Sequence, residues 1–221
     1  AHTGNYYSFV GSSIEEVTFE EGTTNIADSI FYGEITTLKN INFPNSLTSI
    51  GSYSFSECSS LTEINIPKNV TYIGSSAFSF TNIKTLILPN ELITLSKSAF
   101  EKCEQLKEVI IGNKITIINE RSFYNCINLV QIDLPDQITR IDSLAFGNCY
   151  KLEEIILPKN LEILGYSFIS GCNLIKNITI PKSFRKAHTG NYYSFVGSSI
   201  ENVIFEEGTT NIADSIFYGE I

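Results

Sequence analysis

The chain has 221 residues, of which 43% are hydrophobic and 18% are charged, so its composition is that of an ordered protein. A formal net charge of −9 argues against a basic surface that binds nucleic acid, and equally against binding to anionic membranes. No apolar run reaches the roughly 18 residues of a membrane-spanning helix, so no membrane insertion is expected within this segment.

One sequence unit recurs along the chain with a period near 23 residues. Residues 129–149 are one copy, LVQIDLPDQITRIDSLAFGNC, and residues 152–172 are the next, LEEIILPKNLEILGYSFISGC. All six prolines share one position of the unit, and ten of the fifteen phenylalanines share another. Such repetition is typical of a solenoid, in which each coil contacts only its neighbours. We therefore predict a single array over residues 1–221, built from about nine coils of 22–27 residues.

Each unit begins with two extended segments. In residues 61–81, Ile64 and Ile66 alternate with polar residues, as in a half-buried strand. Pro67 ends this strand because proline has no N–H group to donate to a neighbouring strand. A second short extended segment follows, around Ile73. Strands from successive coils are expected to pair in parallel through right-handed connections.

A turn follows the second segment. Its first position is held by small or turn-forming residues, which are Gly51, Gly74, Ser96, Asn119, Asp142 and Gly165. Because glycine, asparagine and aspartate tolerate positive φ, we predict a left-handed turn at this position, although serine fits it less well. A small residue and a phenylalanine come next. We predict that a one-turn helix or 3₁₀ segment directs this phenylalanine into the core.

The cysteines follow the same period. An odd number of them argues against a complete disulfide framework, and we interpret them as buried free thiols that act as small apolar fillers. Disulfides are the alternative. A zinc site is disfavoured, because no histidine or acidic residue accompanies the cysteines at a ligand spacing. The five residues are Cys58, Cys103, Cys126, Cys149 and Cys172.

The unit carries the markers of a known repeat type. They are the I-x-L-P step (Ile132, Leu134, Pro135), the I-D turn (Ile141, Asp142) and A-F-x-x-C (Ala145, Phe146, Cys149). With them the chain resembles the BspA-like leucine-rich repeats, or Treponema pallidum type, over essentially its whole length. The resemblance implies a right-handed coil with a parallel β-sheet on one face, and with short second strands and short helical or 3₁₀ turns on the other. It also implies an extracellular or cell-surface protein that serves in adhesion or protein binding.

Histidine is too scarce for catalysis by this chain. His2 and His188 are the only two, and they occupy equivalent positions in two copies of one segment, not one site. No Cys-His or Ser-His-Asp set is therefore expected, and we predict a non-enzymatic protein without a cofactor or metal. The insertion that holds His188, Tyr192 and Tyr193 is a candidate contact loop. The alternative interpretation is an ordinary surface loop.

The outward positions of the first strand are the candidate partner-binding face. Exposed isoleucine beside acidic residues suggests contact with a partner, which we expect to be a protein, a matrix component or another copy in an array. The alternative is that parallel strands simply favour β-branched residues and that charges block edge pairing. The candidate residues are Glu16, Glu63, Ile87, Glu108, Ile110, Gln131, Asp133, Glu154 and Ile156.

A longer period lies over the short one. Residues 1–35 and 187–221 match at 33 of 35 positions and differ only at Glu16 versus Asn202 and Thr18 versus Ile204. The offset of 186 residues corresponds to eight coils. We interpret it as a super-repeat over residues 1–186, with a second copy from residue 187, and expect the array to continue beyond both ends. This favours a second functional hypothesis, a fibre or coat of super-repeats joined end to end.

Overall fold

The structure is a computed structural model that describes residues 9, 12–33, 35–187 and 194–210. Within these ranges, fifteen short strands stack in parallel pairs, so the chain is a repeat solenoid and the predicted fold class is confirmed. We number the coils by their first extended segment, so that β1 belongs to the first coil. No helix that could cross a membrane occurs in the described ranges.

The first extended segment of most coils is a main strand. Its central residue, such as Leu86 or Val109, is buried, whereas the residues on either side are exposed, as the alternation predicts. The strands pair in the orders β1-β3, β6-β8-β10 and β13-β15. The main strands are β1 (Glu16–Thr18), β3 (Asn40–Asn42), β6 (Thr85–Ile87), β8 (Glu108–Ile110), β10 (Gln131–Asp133), β13 (Asn177–Ile180) and β15 (Asn202–Phe205).

The second extended segments form another parallel sheet in two parts, β2-β4-β5-β7 and β9-β11-β12-β14. Between the two parts, the side-chain amide of Asn119 donates a hydrogen bond to the Leu95 carbonyl at 2.7 Å. A side chain thus replaces a backbone donor at that joint. The second strands are β2 (Asn25–Ile26), β4 (Ser49–Ile50), β5 (Tyr72–Ile73), β7 (Thr94–Leu95), β9 (Ile117–Ile118), β11 (Arg140–Ile141), β12 (Ile163–Leu164) and β14 (Lys186–Ala187).

The interruptions of the two sheets are staggered. The main sheet is interrupted at the third coil, residues 61–83, and at the seventh coil, residues 152–175. The second sheet is interrupted between the fourth and fifth coils, where β6 and β8 keep the main sheet paired. Every pair of neighbouring coils in the described ranges therefore retains at least one paired sheet.

A third set of backbone hydrogen bonds, the turn ladder, joins the coils on the phenylalanine side. The N–H of Phe55 donates to the Ala77 carbonyl at 2.9 Å, and the N–H of Phe78 donates to the Ala99 carbonyl at 2.9 Å. Each coil from the second to the sixth donates three such bonds, and in all of them the donor lies in the earlier coil. This ladder continues across every interruption of the two sheets.

The segments predicted as short helical or 3₁₀ turns are isolated i→i+3 turns in the described ranges. Cys58, for example, donates its N–H to the Phe55 carbonyl at 3.3 Å. They do not continue into helix because Tyr53 and Glu57 have φ values of 56° and 69°, outside the right-handed helical region. The backbone groups that a helix would use are available to the turn ladder instead.

The predicted left-handed turn at the glycine position is wrong. Gly74 and Gly165 do not have positive φ, and the left-handed residue comes two positions later, for example at Ser76 with φ 53°. Glycine is required at the position of Gly74 and Gly165 because the neighbouring coil leaves no room for a side chain. A Cβ atom on Gly74 would lie 2.4 Å from the Ser52 nitrogen, and one on Gly165 would lie 2.2 Å from the Ser143 nitrogen.

The core is organised around a column of phenylalanine rings. Successive rings stack at centroid distances of 5.3, 5.4, 6.0 and 5.7 Å, with interplanar angles of 8° or less. All of these rings are fully buried, as the sequence predicts. Offset stacking adds about 0.5–1.5 kcal/mol per aromatic pair to the gain from burial. The stacked rings are those of Phe55, Phe78, Phe100, Phe123 and Phe146.

The cysteine column lies beside these rings. All five cysteines are free and buried, which confirms the interpretation as buried thiols. The thiols are also hydrogen-bonded: Cys126 Sγ donates to the Phe100 carbonyl at 3.3 Å, and Cys149 Sγ to the Phe123 carbonyl at 3.4 Å. Burial raises the pKa of Cys103 to about 12, so this thiol stays protonated at neutral pH. The column thus has a structural role.

Candidate functional site

The strand face, formed by the outward side chains of the main-strand segments, contains all nine candidate partner-binding residues. Its isoleucines are strongly exposed, with 65% of Ile87 and 71% of Ile156 accessible to solvent. Isoleucine is usually buried, and each side chain gains about 1.5–3 kcal/mol when it leaves water. Burial of these exposed isoleucines against a partner would therefore contribute favourable free energy to binding.

The central sheet β6-β8-β10 brings five of the candidate residues together. Ile87 lies directly beside Ile110, which lies beside Asp133 in the next coil. In the neighbouring column, Glu108 lies beside Gln131. This alignment places two exposed isoleucines next to a row of polar groups, so the centre of the face combines apolar and acidic character.

The other candidate residues lie outside this central sheet. Glu16 is on β1, where its carboxylate accepts a hydrogen bond from the Asn42 amide at 2.8 Å. Glu63 belongs to the third coil, and Glu154 and Ile156 belong to the seventh. Both of these coils lack a paired main strand, which is a difference that the sequence columns did not reveal.

Several carboxylates of the face are free of local cations. Among the residues that the structure describes, Glu63, Glu108 and Glu154 take part in no salt bridge. Two lysines that directly precede main strands pair with other glutamates: Lys39 contacts Glu15 and Lys176 contacts Glu201, both at 3.0 Å. Glu63, Glu108 and Glu154 are therefore available to cations of a partner.

Clefts lie beside both coils that interrupt the main sheet. The third coil borders one of about 760 Å³, lined in part by Ile64, Asn65 and Ile87, and a second of about 370 Å³. The seventh coil borders one of about 310 Å³. Residues 61–66 fit the repeat as well as any other unit, so no sequence signal marks these sites.

The described side chains include no group of three or more metal-ligating residues. The candidate contact residues His188, Tyr192 and Tyr193 lie outside the described residues, as does His2. What the described face can do chemically is bind: it offers apolar area, carboxylates and backbone groups.

Comparison with known proteins agrees with this architecture. The family model described as "BspA type Leucine rich repeat region (6 copies)" matches residues 4–107 and 93–221. No curated protein matches the sequence significantly. Among solved structures, a leucine-rich repeat protein from Bacteroides ovatus is 27% identical, with a TM-score of 0.56, and the match covers 85% of this chain and 60% of that one.

Two further structures share the fold. A leucine-rich repeat protein of T. pallidum is 24% identical, with a TM-score of 0.57 and coverage of 64% of this chain and 79% of that one. A leucine-rich cell surface protein from Faecalibacterium prausnitzii is 23% identical, with a TM-score of 0.54 and coverage of 87% and 60%. The chain thus spans about 60% of the length of the Bacteroides and Faecalibacterium proteins.

Proposed function

Because the chain belongs to the BspA-type leucine-rich repeat family, we propose that it is a non-enzymatic surface protein that binds a protein or matrix partner through its strand face. The name of the Faecalibacterium protein, a cell surface protein, supports the location. Repeat solenoids also present long, regular surfaces that suit protein binding. Adhesion is the role that we assign to this binding.

The observation that carries this proposal is the exposed pair Ile87 and Ile110 beside carboxylates, such as Glu108, that take part in no salt bridge. A protein interface needs an apolar centre that becomes fully desolvated, surrounded by polar groups that give specificity. The strand face supplies both within three adjacent coils. Its acidity favours a partner with a basic surface, because complementary charge accelerates association and excludes acidic competitors.

We expect Ile87→Asp to abolish binding of the purified chain to its partner, while Ile93→Asp leaves binding unchanged. Both isoleucines are in the fourth coil and are similarly exposed, at 65% and 59%, but only Ile87 is on the strand face. A buried aspartate without a partner costs several kcal/mol at an interface, enough to weaken binding at least about a hundredfold. Binding to intact epithelial cells and to immobilised matrix proteins measures the effect.

Thermal unfolding of both variants is the control, because an exposed substitution should change stability by no more than about 0.5 kcal/mol. Equal binding by the two variants would contradict the strand-face proposal. Loss of binding by Ile93→Asp alone would indicate that the partner binds the side of the coil that carries Ile93 and not the strand face.

A second candidate function, an extended fibre of super-repeats, is favoured by the two nearly identical segments. One copy contributes β15, which pairs with the preceding strand β13, and the other contributes β1, which pairs with the following strand β3. The two copies differ only at the outward positions of these strands, Glu16 versus Asn202 and Thr18 versus Ile204, so nearly the same segment accepts a neighbour on either edge, as a continuous joint between super-repeats requires. The Asn202 amide donates to the Asn177 side chain at 2.9 Å across this joint.

Electron microscopy of the native material tests the fibre. We expect filaments with an axial repeat of eight coils, which is roughly 38 Å at the strand spacing of about 4.8 Å. Dispersed curved particles at all protein concentrations would count against a fibre and would leave the binding function as the single proposal.

A further inference from the structure

The chain contains two nearly identical terminal segments, which we call the first copy, residues 1–35, and the second copy, residues 187–221. They differ at two positions only, and at both positions the side chains of both copies are exposed on β1 or β15. The described residues that point inwards are the same in the two copies. A place in the solenoid that accepts one copy therefore also fits the other. The differing pairs are Glu16 versus Asn202 and Thr18 versus Ile204.

One phenylalanine is buried in the second copy and exposed in the first. Phe195, in the second copy, packs against Phe168 at a ring centroid distance of 5.6 Å and is 2% exposed. Its equivalent in the first copy is Phe9, which stacks on Phe31 of the same copy and is 39% exposed. The surface that the second copy buries is thus open in the first copy. The structure also shows what covers this surface, namely the seventh and eighth coils of the same chain.

A single copy can make the contacts of both copies at once. Towards the preceding coil, the Glu201 N–H donates to the Lys176 carbonyl at 2.8 Å. Towards the following coil, the carbonyl of Glu15, the equivalent residue, accepts from the Lys39 N–H at 2.8 Å. The two hydrogen bonds use different atoms of the same residue, so they do not compete. One copy can therefore lie between β13 of one chain and β3 of another, in the registers that the structure shows for each pair.

The two differing positions do not obstruct such a joint. In the second copy, the Asn202 amide donates to the Asn177 side-chain oxygen at 2.9 Å. When the first copy takes this place, Glu16 replaces Asn202, and the Asn177 side chain can turn its amide group to donate to the carboxylate. Thr18 replaces Ile204 at an exposed position, so the packing of the core is unchanged.

We propose that two copies of this chain join head to tail by sharing one terminal segment, so that residues 1–35 of one chain take the place of residues 187–221 of the other. This inference rests on the fibre function proposed above and deepens it. The exchange replaces contacts by nearly identical ones, which makes it a low-cost route to assembly. The resident second copy competes with the incoming first copy. Assembly is therefore limited to the fraction of molecules in which the second copy is displaced.

The test removes the competitor and measures self-association by sedimentation velocity over a range of protein concentrations. Aspartate at position 195 would place a charge against Phe168 in the core, so the second copy should leave its place in Phe195→Asp. We expect this variant to associate at concentrations at least about tenfold lower than the wild type, because the competent fraction rises. The matched control is Phe9→Asp/Phe195→Asp, in which the incoming first copy carries the same charge. It should remain monomeric over the whole range.

A second variant keeps the test decisive if Phe195→Asp does not fold. Val203→Asp is a milder change at a half-buried position of β15, and it should also promote association that Phe9→Asp then abolishes. Association of the double variants at the same concentrations as the single ones would indicate non-specific aggregation and would overturn the inference. No increase in association of either single variant would overturn it as well.

Electron microscopy separates the shared segment from the fibre function. Filaments of Phe195→Asp should have an axial repeat of eight coils, because each joint counts one terminal segment for two chains. A longer repeat would overturn the sharing and leave the fibre function standing. Native material without filaments, together with variants that still associate through the shared segment, would remove the fibre function and leave the joint. The strand-face function is tested separately by Ile87→Asp in the fourth coil.

Discussion

Replacing Phe146 by alanine is expected to lower the free energy of unfolding by about 3–5 kcal/mol. The ring is fully buried and stacks on Phe123 at a centroid distance of 5.7 Å and an interplanar angle of 1°. The residue also links the coils through its backbone: its N–H donates to the Phe168 carbonyl at 2.8 Å, and its carbonyl accepts the Cys172 thiol at 3.0 Å. The cavity would therefore open beside two hydrogen-bond columns that cannot move far to fill it.

Phe80→Ala is the matched control for this prediction. That ring is 44% exposed and lies 4.5 Å from the Lys102 ammonium, so its removal should cost no more than about 1 kcal/mol. Urea unfolding followed by circular dichroism compares the two variants. Similar midpoints for both would mean that the phenylalanine column does not hold the coils together.

Gly112→Ala is expected to be the second most damaging change, with a loss of about 3 kcal/mol. Gly112 replaces proline once in the repeat, and a Cβ atom there would lie only 2.1 Å from the Pro89 carbonyl oxygen. The clash is with backbone, so no side-chain rotation relieves it. It also falls between the fourth and fifth coils, where the second sheet is already interrupted and the main sheet would have to shift.

Gly22→Ala separates crowding from backbone strain. Gly22 has φ of 96°, and no atom lies within 4 Å of the place that an alanine methyl group would take, so alanine there costs only the conformational penalty of about 1–2 kcal/mol. The unfolding temperature measured by calorimetry should be highest for the wild type, lower for Gly22→Ala and lowest for Gly112→Ala. A tolerated Gly112→Ala would show that the fourth and fifth coils can separate without loss of packing.

The fold was predictable because its rules repeat. Most coils place proline after the first extended segment and phenylalanine in the core, so a single unit contains most of the pattern of the others. The left-handed position was not predictable from residue type, because it is held by residues as different as Tyr53, Arg121 and Leu144. Tertiary hydrogen bonds of the turn ladder impose that conformation, and local preference does not.

The candidate site was predictable only in part. Alternation was enough to predict the outward direction of Ile87 and Ile156, and both are exposed. It could not predict which coils lack strand pairing, because the segments containing Glu63 and Glu154 match the repeat as well as the paired ones do. Strand pairing is a property of two adjacent coils together, which no single unit encodes.

The turn ladder itself has an electrical polarity. Each peptide group carries a dipole of about 3.5 D, and dipoles aligned head to tail add along an axis. In every bond of the ladder the N–H group points towards the later coil, so the positive end of this dipole faces the C-terminal direction, opposite to that of an α-helix. Two arrays that meet in the same orientation bring donors to acceptors, whereas arrays that meet head to head bring like ends together. The polarity of the ladder therefore favours arrays that join in the same orientation.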